Sequence, residues 1–180
     1  MGELVQSLKK AWHAPVTRLG LLCLGVGILI VVFDQATKAW MLYGLRLENG
    51  AVKILPFFSF TLVHNTGMSF GLLGGTAFGR WFLTLFQLSA GIGLGFLTLK
   101  QVTRLPAVAL CLIAGGAIGN VIDRIRFGFV VDFLDFSGTH VFPWVFNVAD
   151  SAICIGVALL AWHFLNSEES AKAPATGPDA

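Results

Sequence analysis

Charge is what this chain has least of. Its 180 residues include twelve Lys or Arg and ten Asp or Glu, 12 % of the total, where a soluble domain carries about twice that fraction. With 56 % hydrophobic residues and a mean hydropathy of +0.78, this is the composition of a membrane protein, long enough for one compact bundle. The net charge of +2 is too small to point to nucleic acid, and no basic run has interleaved aromatics. Cys23, Cys111 and Cys154 lie in apolar runs without CxxC or Cys/His spacing, so they read as packing residues. His13, His64, His140 and His163 form no HExxH or other ligand spacing, so neither a metal nor another cofactor is expected. The glycines of GLLGG at 71–75 read as a turn, not a phosphate cradle. A small-residue cleavage site is also missing after the first apolar run, where Asp34 and Lys38 stand instead. Despite Lys9, Lys10 and Arg18 before it, that run reads as an uncleaved helix.

What the chain does have is four apolar runs, each near the roughly 20 residues a bilayer requires. They cover about 19–40, 81–99, 105–123 and 147–165 of a single membrane domain at 1–165, with outer segments at about 41–80 and 124–146. Residues 166–180, rich in Ser, Glu, Ala, Pro and Gly, read as a disordered cytoplasmic tail. Basic residues before the first run and at Lys100 and Arg104 place both termini in the cytoplasm. Four spans bring the exit of the first, the exit of the third and the entry of the fourth to one membrane face. Asp34, Asp123 and Asp150 lie at those three ends.

Several runs carry small or polar stripes that suit close helix packing. Gly115, Gly116, Gly119, Asn120 and Asp123 share an arc of roughly 140° on a helix. Thr84, Gln87, Gly91, Gly95 and Thr98 make a second stripe, and Asn147, Asp150, Ser151, Cys154, Ala158 and Ala161 a third. In the outer segments, 51–55 and 57–64 read as short strands broken at Pro56. Residues 129–136 and 140–146 flank a turn at Ser137-Gly138-Thr139. The many Phe and Trp residues in these segments suit a small sheet at the headgroup level.

Packing accounts for Gly and Ala but not for carboxylates inside a span, which cost a few kcal/mol or more. Asp34 has a structural explanation in Lys38, its i+4 neighbour. Asp123 and Asp150 lack such a partner in sequence, and Arg124 points roughly 100° away from Asp123, free to snorkel to phosphate or to hold another group. Both acids end an Asn-x-x-Asp, at 120–123 and 147–150, and two carboxyls sharing a site hold one proton between them. That supplies an acid and a base at one pH, the requirement for amide hydrolysis by water, with Asn120 and Asn147 to orient the carboxyls or hold substrate backbone. Serine–lysine catalysis through Ser59 or Ser69 with Lys38 or Lys53 has no supporting spacing. A proton-coupled carrier would use the same acids as a relay, but nearer the midplane and with broken helices. A noncatalytic binding or assembly module, in which the acids only pack, is the other alternative.

Five blocks in order, DQATK at 34–38, HNTGMSFG at 64–71, GGAIGNVIDR at 115–124, VVDFLDF at 130–136 and FNVADS at 146–151, resemble bacterial lipoprotein signal peptidase, also called signal peptidase II. The likeness extends over roughly 16–165. It implies an α-helical membrane protein of four transmembrane helices with a small periplasmic β-sheet, or cradle, and a short, mobile periplasmic helix. It also implies an aspartic endopeptidase of the bacterial inner membrane with its active site near the periplasmic face. The substrates implied are prolipoproteins bearing a diacylglyceryl-cysteine, cut just before that cysteine, with membrane lipid as the other partner; a monomer is expected. By motif match Asp123 and Asp150 would be the catalytic pair, with Asp34, Lys38, Asn65, Asn120, Arg124 and Asn147 as site support. Met68-Ser69 departs from the Ala-Ala or Ala-x often found in the family's block.

Overall fold

The structure, a computed structural model, describes residues 14–67 and 76–172. Among the described residues four helices are long and apolar enough to cross a membrane: α1 (Arg18–Ala39), α2 (Ala77–Leu99), α3 (Arg104–Arg126) and α4 (Val148–Lys172). A π-helical turn at Trp40–Gly44 prolongs α1. Thr17 and Thr76 cap α1 and α2, their hydroxyls accepting from Gly20 N and Gly79 N, as N-cap threonines do.

The third helix is the axis of the bundle. Two-thirds of its span, 67 %, is buried, against 17–22 % for the others. Its small residues explain why. A side chain at Gly115 would strike the backbone of Gly27 on α1, and one at Gly116 the backbone of Ala149 on α4. Such contacts let helices approach until dispersion and weak backbone contacts hold them, the dominant forces where lipid is as apolar as leucine. The stripe on α2 faces inward, with Thr84, Gly91 and Thr98 buried. On α4 the packing face is instead Ala149, Ala152 and Gly156, while Cys154 and Ala158 point outward. The third stripe therefore lies one face away from the packing face, and Cys154 is exposed where Cys23 and Cys111 are buried. Backbone fit decides this, since a Cβ at Gly156 would lie 2.7 Å from Ala109 O.

At the end of the bundle where α1 and α3 finish, a four-stranded antiparallel sheet has the order β1 (Val52–Leu55), β2 (Phe58–Asn65), β3 (Val130–Asp135), β4 (Val145–Phe146). The last strand is far shorter than 140–146. His140 takes a left-handed φ of 57°, and Pro143 has no N–H for a ladder. Met41, Leu47, Val131 and Phe133 form the core beneath the sheet. The short helix implied for this region is not among the described residues; Leu47–Asn49 and Ser137–Thr139 are single 3-10 turns, and residues 68–75, with Met68-Ser69, lie outside the description. At the other end, α4 continues to Lys172. Residues 166–172 are therefore helical, not tail: no Pro intervenes before Pro174, and Ser167 Oγ donates to His163 O. The rest of the expected tail lies outside the described residues.

Gly116→Val should lower stability by about 1–3 kcal/mol through overpacking against α4. Gly93→Ala, where a Cβ meets nothing within 4 Å, should be neutral or stabilising by up to about 1 kcal/mol. Thermal unfolding in detergent checks both, and equal losses would contradict the packing assignment.

Candidate active site

Where α1, α3, α4 and the sheet meet, four aspartates and one lysine are gathered, and they divide into two groups.

The first is closed. Lys38 Nζ lies 2.8 Å from Asp34 Oδ2 and 2.9 Å from Asp123 Oδ2, and all three side chains are almost fully buried. Each carboxylate has further donors. Ala149 N donates to Asp34 Oδ1 at 2.9 Å, which pins the first turn of α4 to α1. Val131 N donates to Asp123 Oδ2 at 3.0 Å and Gln35 Nε2 to Asp123 Oδ1 at 2.9 Å. Gly119 makes room for this: a Cβ there would lie 2.7 Å from Asp34 Oδ2. A carboxylate near the C-terminus of α3 opposes the helix dipole, and Lys38 compensates it. The ion pair foreseen between Asp34 and Lys38 is present, but the view that Asp123 has no cation is corrected. Its partner comes from another helix, beyond the reach of local spacing. Both Asp123 oxygens are occupied.

The second group is Asp132 on β3 and Asp150 on α4, joined through Asn147. Asn147 Nδ2 donates to Asp132 Oδ1 at 2.6 Å. Its backbone N–H donates to Asp150 Oδ2 at 3.3 Å, while its Oδ1 accepts from Asp150 N at 2.9 Å. The latter two bonds are a reciprocal capping box, which Asn-x-x-Asp forms when it opens a helix. Asn120 Nδ2 donates to Asp150 Oδ1 at 2.7 Å, and Asn120 Oδ1 accepts from Lys38 Nζ at 3.1 Å. Asn120 therefore orients Asp150 on α4, not the Asp123 of its own motif. Asn65 Nδ2 donates to Asp132 Oδ2 at 2.8 Å. These two residues are diagonal neighbours on one sheet face, since Asn65 pairs with Val130 and Val63 with Asp132.

Asp132 is fully buried while Asp150 is half-buried. Burial, and then the neighbouring charge of Asp150, push the Asp132 carboxyl up from 3.8 to about 7. Asp135, the other acid of VVDFLDF, is held below the usual carboxylate range chiefly by the Ser137 side chain and further by its N–H, which donates at 2.8 Å; it caps a turn. Arg124 does not snorkel: it is buried, with Nη1 donating to Gln87 Oε1 at 2.7 Å. Its charge acts on Asp150, Asp132 and Asp123. Among the described residues no three His, Cys, Asp or Glu side chains are grouped to hold a metal ion.

In the structure Asp150 and Asp132 share Asn147, while Asp123 is held by Lys38. Alternation along 129–136 does not mark Asp132, which the structure brings to Asn147. The available signal was an ionisable side chain in a strand whose neighbours Val130, Val131 and Phe133 are all apolar and all buried.

Comparison with known proteins agrees with this architecture. The family model described as Signal peptidase (SPase) II matches residues 26–166. A lipoprotein signal peptidase of Caulobacter vibrioides is 47 % identical over 157 residues, 86 % of this chain and 93 % of that one. One from Rhodopseudomonas palustris is 43 % identical over 163 residues, 87 % and 98 % of the two chains. A bacterial membrane enzyme solved by the in meso method at 2.3 Å superposes with a TM-score of 0.74 at 28 % identity, covering 91 % of this chain and 98 % of that one. A second, at 1.9 Å, gives 0.68 at 31 % identity, covering 84 % and 96 %.

Lys38→Ala should cost about 3–5 kcal/mol, because two buried carboxylates lose their cation. The loss should shrink when Asp34→Asn and Asp123→Asn are already present, as expected for contacting groups. Unfolding midpoints of the detergent-solubilised variants measure this, and purely additive losses would contradict the shared ion pair.

Proposed function

The chain belongs to the signal peptidase II family of bacterial membrane proteases, and on that premise we propose that it is an aspartic endopeptidase whose reacting carboxyls are Asp132 and Asp150. One observation carries the reading: a single residue, Asn147, hydrogen-bonds both carboxyls, so two acids distant in sequence are presented together.

In this mechanism the pair holds one proton at neutral pH, weighted to the more deeply buried Asp132. Asp150, the more exposed, takes a proton from water as the water oxygen bonds to the scissile carbonyl carbon. Asp132 gives its proton to the carbonyl oxygen, which yields a neutral gem-diol. On collapse Asp132 recovers a proton from one hydroxyl, the C–N bond breaks, and Asp150 protonates the departing amine. The products are a carboxylic acid on the signal peptide and a free α-amine on the mature protein. Lys38 serves the pair indirectly. By holding Asp123 it fixes Val131 N, and with it the strand position of Asp132.

The substrates are prolipoproteins carrying a diacylglyceryl-cysteine, cut before that cysteine, with the lipid entering sideways from the bilayer. The basic residues Arg18, Lys100 and Arg104 lie at the end opposite the sheet, which supports a topology with both termini in the cytoplasm and the protein in the inner membrane. The acids and the sheet then lie at the outer, periplasmic face. The domain acts as a monomer, its four helices continuing through α4 to Lys172. A proton-coupled carrier is less well supported, since the acids gather at one end of the bundle.

Purified protein should cleave a diacylated precursor peptide, and Asp132→Asn or Asp150→Asn should reduce turnover by about 10²–10⁴-fold or more while substrate binding persists. Asp123→Asn should weaken stability and retain measurable turnover. Wild-type rates in Asp132→Asn would sink the proposal.

The pH dependence has a definite sign. With its carboxyl raised from 3.8 to about 7, folded Asp132 keeps a proton that the unfolded chain has released. Its contribution to stability therefore falls as pH rises through that window. Turnover should fall likewise as the pair's last proton is lost near pH 7. Asp132→Asn should remove the stability slope, which thermal unfolding from pH 5 to 8 would read.

A further inference from the structure

The α2 helix contributes no acid or lysine to the site, yet it sends one polar side chain to it. Of the polar residues on its inward stripe, Thr84 and Thr98 spend their hydroxyls on their own helix, donating to Arg80 O and Leu94 O. Gln87 instead reaches across to α3, where its Oε1 accepts from Arg124 Nη1 at 2.7 Å. The partner is a buried guanidinium whose charge acts on Asp150 and Asp132. Even so, the ion pairs within 4.0 Å among the described residues are those of Lys38 with Asp34 and Asp123. Arg124 stands one turn beyond Asn120, which donates to Asp150, and forms no ion pair with Asp150 or Asp132.

A buried guanidinium needs acceptors, and bidentate carboxylate pairing is its strongest option. Given no other acceptor, Arg124 would move onto Asp150 or Asp132 and occupy the oxygens that hydrolysis requires. A neutral amide satisfies it without adding charge. We infer that Gln87 is a positioning residue that tethers Arg124 away from the Asp132–Asp150 pair, keeping both carboxyls open while leaving a positive charge nearby. The inference rests on the dyad reading above and extends it to a residue that touches neither acid.

The charged groups facing the pair are Lys38 from α1 and Arg124 from α3, with Asp123 on the same turn of α3. From β2 comes the neutral Asn65, and from α2, through Arg124, the neutral Gln87. Two substitutions at Gln87 therefore act in opposite senses. Gln87→Leu removes the acceptor and lets Arg124 fall onto a carboxylate. This stabilises the anion and moves the alkaline limb of the kcat profile to lower pH by about half a unit or more. Gln87→Glu keeps the acceptor but cancels the guanidinium charge, so the limb moves to higher pH.

The experiment measures kcat and KM against pH for both variants on a diacylated precursor peptide, with Asp132→Asn and the thermal unfolding midpoint in parallel. The expected result is a loss of kcat in Gln87→Leu of about tenfold at pH 7 with KM within about twofold, and opposite limb shifts in the two variants. Unchanged profiles in both, or a fall in unfolding midpoint without a limb shift, would overturn the inference while leaving the dyad intact. If Gln87→Leu does not fold, the alkaline shift in Gln87→Glu decides alone. Turnover surviving in Asp132→Asn would instead show that the dyad reading itself had failed.

Discussion

Lys38 is the constraint on which the rest of this structure depends. Its ammonium sits between Asp34 on its own helix and Asp123 on another, at 2.8 and 2.9 Å, with almost no exposure. An unpaired charge in that position would be prohibitive. Each carboxylate then serves as an acceptor for backbone of a further element, Asp34 for Ala149 N on α4 and Asp123 for Val131 N on β3. One buried cation thereby sets the relation of two helices, a third helix's first turn and the start of a strand. Asp132 directly follows Val131, and Asp150 directly follows Ala149. The residues proposed to react are thus each one peptide bond from a backbone group anchored by the ion pair.

Two Asn-x-x-Asp segments that look alike in sequence perform different tasks because they occupy opposite ends of helices. At 147–150 the motif opens α4, and its asparagine and aspartate satisfy each other's backbone N–H groups. At 120–123 it lies near the end of α3, where those N–H groups are already paired within the helix. Its side chains are free to cross to other elements, Asn120 to Asp150 and Asp123 to Lys38. The asparagines form the polar frame of the site: Asn65, Asn120 and Asn147 all donate side-chain amides to Asp132 or Asp150. Neutral donors of this kind orient carboxyls without cancelling their charge, a necessary condition for acid–base chemistry in a buried position.

Much of this was legible in the amino-acid sequence. Scarce charge and long apolar runs indicated the membrane helices. The small residues from Gly115 to Gly119 indicated a helix that others approach closely, and α3 is indeed the buried axis. Local spacing captured the Asp34–Lys38 pair because i,i+4 neighbours meet on any helix. Local spacing fails at Asp123, whose cation is 85 positions away by subtraction of residue numbers, and at α4, whose packing face lies away from Cys154 and Ala158. Asp132 is not legible from local pattern, because a strand's alternation sets which side a residue occupies, not what lies across from it.

The sequence by itself determined the class of protein, the number of membrane-crossing helices and the kind of residue available for chemistry. Each follows from solvent preference and helical or strand period, which are local properties of the chain. Only the tertiary structure decided which aspartate is neutralised and which remains available to a partner. That choice depends on Lys38 reaching one carboxylate of α3 and on Asn147 bridging β3 to α4. Coulomb energy and hydrogen-bond geometry depend on separations of a few ångströms, and those separations exist only once the helices and the sheet have packed.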